Sequence, residues 1–311
     1  MTESPKWTAP AATHGAIARS AASTLRSRLD AVLHYLRQAA QHAEEDPEYV
    51  HQLRIATRRA SVALQVFAEL IPDELASRLK QSFKAIRKSA DDARDLDVMA
   101  ERLAESPAND SAAQLLEAVL AARVVAQESV KDSDRVYVEG GQLADLADEV
   151  SSAVCDPALN QDENPHGRPG TFAERRLRKI VKPFFKNMKV RKNDLAGLHQ
   201  LRIQGKRLRY ALELLAASLP EKPCRKFYRR VVKLQNKLGK ITDHSAAAVR
   251  WGRWIERVEA PDQIALLEDA VRGEEQLLKV ASQKYFRWWT KKRRRMMRKK
   301  FESLVEACTA E

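Results

Sequence analysis

The chain has 311 residues, of which 44% are hydrophobic and 31% charged, with a formal net charge of +13 and a sequence pI of about 9.7. That apolar content suits a buried core, while the absence of any run of eighteen apolar residues excludes a membrane-spanning helix, and "MTESPKWTAPAATHGAIARS" at the N-terminus lacks the apolar centre of a signal peptide. The three cysteines, Cys155, Cys224 and Cys308, lie far apart, which excludes a disulfide framework or a cysteine-based metal site and fits a reducing cytoplasm.

Glycine (10) and proline (12) are scarce, and long stretches of Ala, Leu, Arg, Lys, Glu and Gln show apolar spacings of three and four. The chain therefore reads as all-α. Residues 1–13 form a leader. A helix follows to about Ala43, with Ile17, Leu25, Leu29, Leu33 and Leu36 in helical period. "EEDPEY" breaks it, and Pro47 suits the start of the next helix. That helix carries "HQLRIATRRASVALQVFAELIP" (51–72). A third helix runs to about Lys88 and a fourth covers "DDARDLDVMAERL" (91–103); "ESPANDS" (105–111) is a turn. Helices over about 109–131 and 138–154 complete the first half. "CDPALNQDENPHGRPGT" (155–171), with three prolines and two glycines, is an exposed linker. Helices resume at about Phe172, break near "VRKNDLAG" and restart at Leu198. A last long helix from about Pro261 runs into a basic tail. The expected organisation is a leader 1–13, a first helical bundle half 14–155, a linker 156–170 and a second half 171–307.

The stretch at 51–72 recurs as "HQLRIQGKRLRYALELLAASLP" (199–220), with 10 identities in 22 positions at a constant offset of 148 residues. The register continues downstream without a gap: Pro72 meets Pro220, Ile86 meets Leu234 and Asp95 meets Asp243. This predicts a helical unit duplicated in tandem, whose halves pack most simply about a pseudo-two-fold axis.

With about 100° per residue, His51, Arg54 and Arg58 share one face, while Leu53, Ala60, Leu64, Phe67 and Ile71 share the opposite one. In the second stretch His199, Arg202, Lys206 and Arg209 form the stripe and Leu201, Leu208, Leu212 and Leu215 the apolar face; Arg59 and Arg207 flank it. Basic residues opposite an apolar face are ordinarily just the solvated side of an amphipathic helix. Here no acid occurs between His51 and Gln65 or between His199 and Leu212. Crowded cations repel one another, so their occurrence twice at the same offsets points to an anion between them. Guanidinium forks pair with phosphate oxygens, lysine adds a point charge, and histidine adds a donor that charges on protonation. A stripe of such groups matches a linear phosphate chain.

Other cations extend the pattern. Arg26 and Arg94 lie in the first half and are candidate phosphate ligands, Arg175, Arg178 and Lys182 precede the second stretch, and Arg229 follows it. Residues 1–155 hold 18 Lys+Arg against 24 Asp+Glu, a net of −6, and the rest holds 37 against 18, a net of +19. Such asymmetry points to a polyanionic partner. The tail "KYFRWWTKKRRRMMRKKF" (284–301) has ten Lys+Arg, no acid and five aromatics. It reads foremost as a closing bundle helix or an extension of the anion surface, with a membrane-surface or nucleic-acid helix as the further alternative.

The pieces "VHQLRIATRRASVALQVF" (50–67), "LHQLRIQGKRLRYALELL" (198–215), "ARDLDV" (93–98) and "LGKITDHSAAAV" (238–249) resemble the CHAD family, the conserved histidine α-helical domain, over about residues 14–307. The resemblance implies two four-helix bundles related by pseudo-two-fold symmetry and a basic pore or groove between them for inorganic polyphosphate, at polyphosphate granules. It implies no catalysis and no cofactor or metal. The ligands it implies are His51, Arg54, Arg58 and Arg59, and His199, Arg202, Lys206, Arg207 and Arg209. Two departures stand out. Ser61 replaces the counterpart of Arg209, thinning the first stripe, and Thr242 replaces the counterpart of Arg94. The second stripe is expected to hold the ligand more tightly, and Asp95 and Asp243 to orient basic side chains or cap helices.

The leading expectation is a non-enzymatic, cytoplasmic polyphosphate-binding protein with no membrane partner. A nucleic-acid-binding basic helical protein is the alternative, although the stripes carry few stacking aromatics, Tyr210 foremost. An enzyme would need a nucleophile, base and metal in one constellation, and the only adjacent pair is Asp243–His244.

Overall fold

A computed structural model describes residues 14–105, 110–156 and 169–309. The leader, residues 106–109 of the "ESPANDS" turn and 157–168 of the linker lie outside the described residues. Among those described, all regular structure is helical. The helices are α1 (His14–Gln41), α2 (Glu48–Val66), α3 (Asp73–Ser89), α4 (Asp91–Ala104), α5 (Asp110–Asp134), α6 (Gln142–Cys155), α7 (Pro169–Lys186), α8 (Leu195–Leu214), α9 (Glu221–Ile255), α10 (Pro261–Trp288) and α11 (Lys291–Thr309). A π-helical turn, Arg135–Glu139, follows α5, and Gly141 supplies the left-handed backbone (φ 72°) that starts α6.

The chain divides into two compact units. Among the described residues, the N-terminal unit is 18–156 with Val258–Leu266, and the C-terminal unit is 14–17, 169–257 and 267–309. A single cut at the linker therefore differs from what is observed: Val258–Leu266, the approach to α10 and its first turns, joins the N-terminal unit, where Gln263 donates to Gln114 of α5 at 3.2 Å.

In the N-terminal unit, Leu25, Leu29, Val32 and Leu36 of α1 are buried with Leu53, Ala60 and Leu64 of α2, Phe83 and Ile86 of α3, Met99 of α4 and Val119 of α5. The acids of α6 fasten neighbouring helices at its surface: Asp148 takes Arg26 of α1, and Glu149 takes Arg78 of α3 in a two-pronged pair at 2.6 and 3.1 Å. In the C-terminal unit, α8 packs on α7 and α9, and α11 packs on both of those. Its core includes Phe184, Leu201, Leu208, Phe227, Leu234, Leu238, Phe301 and Leu304. The ring of Phe301 sits 5.4 Å from those of both Phe185 and Phe227.

The predicted helices are present, with differences that have local causes. Helix α8 starts three residues early because Asp194 caps it, accepting from the Gly197 N–H at 2.8 Å. The final helix is not continuous. It breaks at Trp289, whose indole donates to the Met188 carbonyl at 3.1 Å, and Thr290 then accepts from the Arg293 N–H at 3.3 Å to start α11. Tyr285, Trp289 and Phe301 of the tail are buried, so these aromatics close the C-terminal core. Two tail cations are also structural: Arg294 donates to the Trp289 carbonyl at 2.9 Å and Arg298 to the Phe185 carbonyl at 2.8 Å.

The structural punctuation keeps the sequence offset. The 3-10 turns Ala68–Leu70 and Ala216–Ser218, and the prolines Pro72 and Pro220 that introduce α3 and α9, occupy matching positions. The match fails at Ala90. There α3 ends and α4 begins, whereas α9 runs through the corresponding Leu238 as one 35-residue helix.

Candidate functional site

Both stripe helices are central in their units. No residue from 49 to 67 in α2 is exposed, nor any from 201 to 220 in and beyond α8. The side chains of Arg54, Arg202 and Arg209 are 21%, 22% and 26% exposed. A solvated helix face would leave such long side chains open to water. These faces are instead recessed, with the Leu-rich side of each helix in the core and the Arg/Lys side, with His51 of α2, half-buried.

The acids missing from α2 and α8 themselves come from neighbouring helices. Arg54 donates to Asp91 at the start of α4 and to the Ala90 carbonyl at 3.4 Å. Arg202 donates through Nη2 to Asp243 of α9 at 2.9 Å, while its Nε is buried without a hydrogen-bond partner. The orienting role expected of Asp243 matches this contact. In the N-terminal unit the corresponding contact is made by Asp91, one helical turn before Asp95, a residue the sequence reading did not single out. The signal was present, since an acid in the first turn of a helix is stabilised by the helix dipole.

Arg209 lies 3.5 Å from Glu213 and over the Tyr210 ring at 4.8 Å, and the Tyr228 hydroxyl donates to Glu213 at 2.8 Å. The second stripe is therefore less unbalanced than its sequence suggests. The first gains a cation in exchange. Ser61 turns back on its own helix, donating to the Thr57 carbonyl at 2.7 Å, but Arg94 of α4 lies near enough to His51 to act on it electrostatically. Burial, reinforced by Arg94, Arg58 and Arg54, holds the His51 imidazole below its ordinary pKa against the opposing pull of Glu48. Arg58 bends along the helix, its Nε donating to the Arg54 carbonyl at 2.8 Å, and Arg59 is half-buried beside it.

In the C-terminal unit, Lys206 and Arg207 are half-buried and His199 is exposed at the helix start. Gly205 lets the buried Gln235 approach α8 and donate to the Arg202 carbonyl at 3.2 Å; a Cβ at that glycine would lie 2.0 Å from the Gln235 amide nitrogen. Outside the two helices, Arg175, Arg178, Lys182 and Arg229 are exposed, with Arg175 near the Phe172 ring (5.8 Å) and Arg178 bonded to Glu174 at 2.8 Å. Arg26 stands apart from these cations. It is engaged by both Asp30 and Asp148, which raise its pKa further, so its charge is answered within the fold. His244, half of the adjacent Asp–His pair, is taken by Glu274 of α10 at 2.7 Å.

The structure thus brings His51, Arg54, Arg58 and Arg94 together in one unit, and lines up Arg202, Lys206, Arg207 and Arg209 on one helix of the other. Each set has an arginine buttressed by a carboxylate from the following helical segment. Such arrays can neutralise several phosphate-like charges in sequence.

Comparison with known proteins places these features in a wider set. The model of the CHAD domain matches residues 19–252. The crystal structure of the CHAD domain from the plant Ricinus communis superposes with a TM-score of 0.69 at 18% identity, covering 90% of this chain and 95% of that one. PptA from Streptomyces chartreusis superposes with a TM-score of 0.57 at 19% identity, covering 89% and 99%. At these identities the likeness is one of fold. A comparison with curated proteins finds no match.

Proposed function

The chain belongs to the CHAD domain family, and from that premise we propose that it binds inorganic polyphosphate on the recessed basic faces of α2 and α8. The observation that carries this reading is the burial of those faces. Half-buried arginines repel one another in a low dielectric unless an anion accompanies them. Asp91, Asp243 and Glu213 each take one arginine of these faces, and a polyphosphate chain would serve several of the cations at once. The ligands are His51, Arg54, Arg58, Arg59 and Arg94 in one unit, and His199, Arg202, Lys206, Arg207 and Arg209 in the other. Exposed Arg175, Arg178, Lys182 and Arg229 add long-range attraction. Arg26 is left out because its carboxylate partners hold it.

Binding is electrostatic and multivalent. Each phosphoryl group neutralised releases a condensed counterion, so affinity falls steeply with salt, by analogy with DNA binding. Two basic faces on one chain favour long polymers, because a second engagement is intramolecular. The role is retention of polyphosphate in the cytoplasm, at polyphosphate granules, without turnover. No described helix is long and apolar enough to cross a membrane.

The test is calorimetric titration with long-chain polyphosphate, triphosphate and orthophosphate at two salt concentrations. The expected result is affinity rising with chain length and a salt slope of several units. Equal affinity per molecule for all three ligands overturns the reading, as does RNA or DNA displacing bound polyphosphate more readily than the reverse. Phosphate release in the presence of Mg²⁺ or Mn²⁺ would make the protein an enzyme.

A further inference from the structure

The N-terminal unit holds a cleft of about 670 Å³ whose chemistry is opposite to that of the stripe. One wall is apolar: Leu116, Leu120 and Val124 of α5 line it, and Leu120 and Val124 remain 48% and 57% exposed. The other wall is acidic, with Glu44 and Asp46 from the α1–α2 connection, Glu48 at the start of α2 and Glu101 from α4. Asp97 lines the same cleft and is only 6% exposed. Its Oδ1 accepts from Arg123, which in turn bonds Gln127 at 2.7 Å, while its Oδ2 is buried and accepts no hydrogen bond. Burial pushes the Asp97 carboxyl above the ordinary range despite Arg123. Once the Asp97–Arg123 pair is set aside, four carboxylates face the cleft against one cation, Arg94.

We propose that this cleft binds a linear aliphatic polyamine. The volume lies in the range of small-molecule sites. The ligand must be cationic, because the cleft's carboxylates outnumber its cations and the Asp97 Oδ2 lacks a donor, and an ammonium offers three donors. It must be extended. Among the described residues no three His, Cys, Asp or Glu side chains come close enough to share a metal ion, so a compact divalent cation finds no chelate here. It must carry methylenes, because the opposing wall is Leu and Val. The cleft lining contains no aromatic side chain, so it lacks the cage that selects quaternary ammonium groups. A chain of ammonium groups separated by short methylene spacers meets all four conditions.

The experiment is calorimetric titration of the full chain, washed free of polyanions at high salt, with spermidine, butylamine and Mg²⁺. Spermidine is expected to bind one site more tightly than either comparison ligand. Glu44→Gln combined with Glu101→Gln should weaken spermidine about fivefold, the order for two exposed ion pairs. Leu120→Ser should weaken it about fourfold, the order for one buried methylene. Asp132→Asn, which removes a carboxylate of α5 that does not line the cleft, should leave it unchanged. Circular dichroism checks that each variant keeps its helices, as expected for exposed positions. Mg²⁺ binding tighter than spermidine, or equal spermidine affinity in all four proteins, overturns the proposal. The titration contains no polyphosphate, so its failure leaves the polyanion reading standing.

Discussion

Helices α3 and α4 of the N-terminal unit and helix α9 of the C-terminal unit cover matching sequence, yet one is broken and the other continuous. At the break Ala90 ends one helix and Asp91 starts the next; Asp91 and the Ala90 carbonyl, which also takes the Arg94 N–H at 3.2 Å, both accept from Arg54. In α9 the place of Asp91 is taken by Gly239, which has no carboxylate, and Arg202 finds Asp243 one turn later. The same requirement, an acid to hold a recessed arginine, is met by different residues. A second exchange follows the same logic. The N-terminal stripe lacks a cation at Ser61 and receives Arg94; the C-terminal stripe has Arg209 and tempers it with Glu213. The two faces are therefore closer in local charge than the −6 and +19 of the halves suggest. The excess of the second half resides largely on exposed positions such as Arg175, Lys182 and Arg229.

The largest effect expected from breaking this comparison concerns the core. The N-terminal unit buries the Asp97–Arg123 pair where the C-terminal unit has Ser245 in place of Asp97. Asp97→Ala strands a buried guanidinium and should cost about 3 kcal/mol in chemical denaturation. Ser245→Ala should stay within about 0.5 kcal/mol.

Next comes the polyanion itself. Arg58→Glu with Arg59→Glu, and Lys206→Glu with Arg207→Glu, should each weaken long-chain polyphosphate by about tenfold or more and lower the salt slope by about 2, one per lost phosphate contact. Titrations at three salt concentrations decide whether the two losses match. A loss confined to the second pair would show that the stripes are unequal after all and that the background charge of the C-terminal unit dominates.

A smaller effect concerns protons. Because burial and neighbouring arginines lower the His51 pKa, the unfolded chain takes up a proton as pH falls through about 6.5 while the folded one resists. Stability is therefore lost on acidification below that value. A bound polyanion reverses the repulsion and raises the pKa, so binding near pH 6 should take up protons. Calorimetry in two buffers of different ionisation enthalpy measures this uptake, which should shrink in His51→Gln. Unchanged uptake would remove His51 from the site.

The smallest effect is on the buttressing acids. Asp91→Asn and Asp243→Asn each weaken a half-exposed pair and should cost at most about 1 kcal/mol in thermal melts.

The all-α class, most helix positions and the two basic stripes were legible in the amino-acid sequence, because helical period and capping chemistry are local. The 3-10 turns, Pro72 and Pro220 kept the offset that the sequence comparison assigned them. What was not legible depends on side chains that meet across helices. Counting acids along α2 and α8 overstated their unbalanced charge, since Asp91 and Asp243 arrive from elsewhere. Arg26 reads as one more cation of the binding surface, and only the structure shows that Asp30 and Asp148 pair with it. The broken final helix also escaped, because Trp289 is pulled from the helical run by a carbonyl 101 residues away.

By itself the sequence determined which residues form helices and which face of each is basic, for periodicity along one chain is enough to decide that. Only the tertiary structure decided which cations are already answered by carboxylates and how deeply the basic faces are recessed. Burial and ion pairing are properties of neighbours in space, and a residue's neighbours along the chain do not specify them.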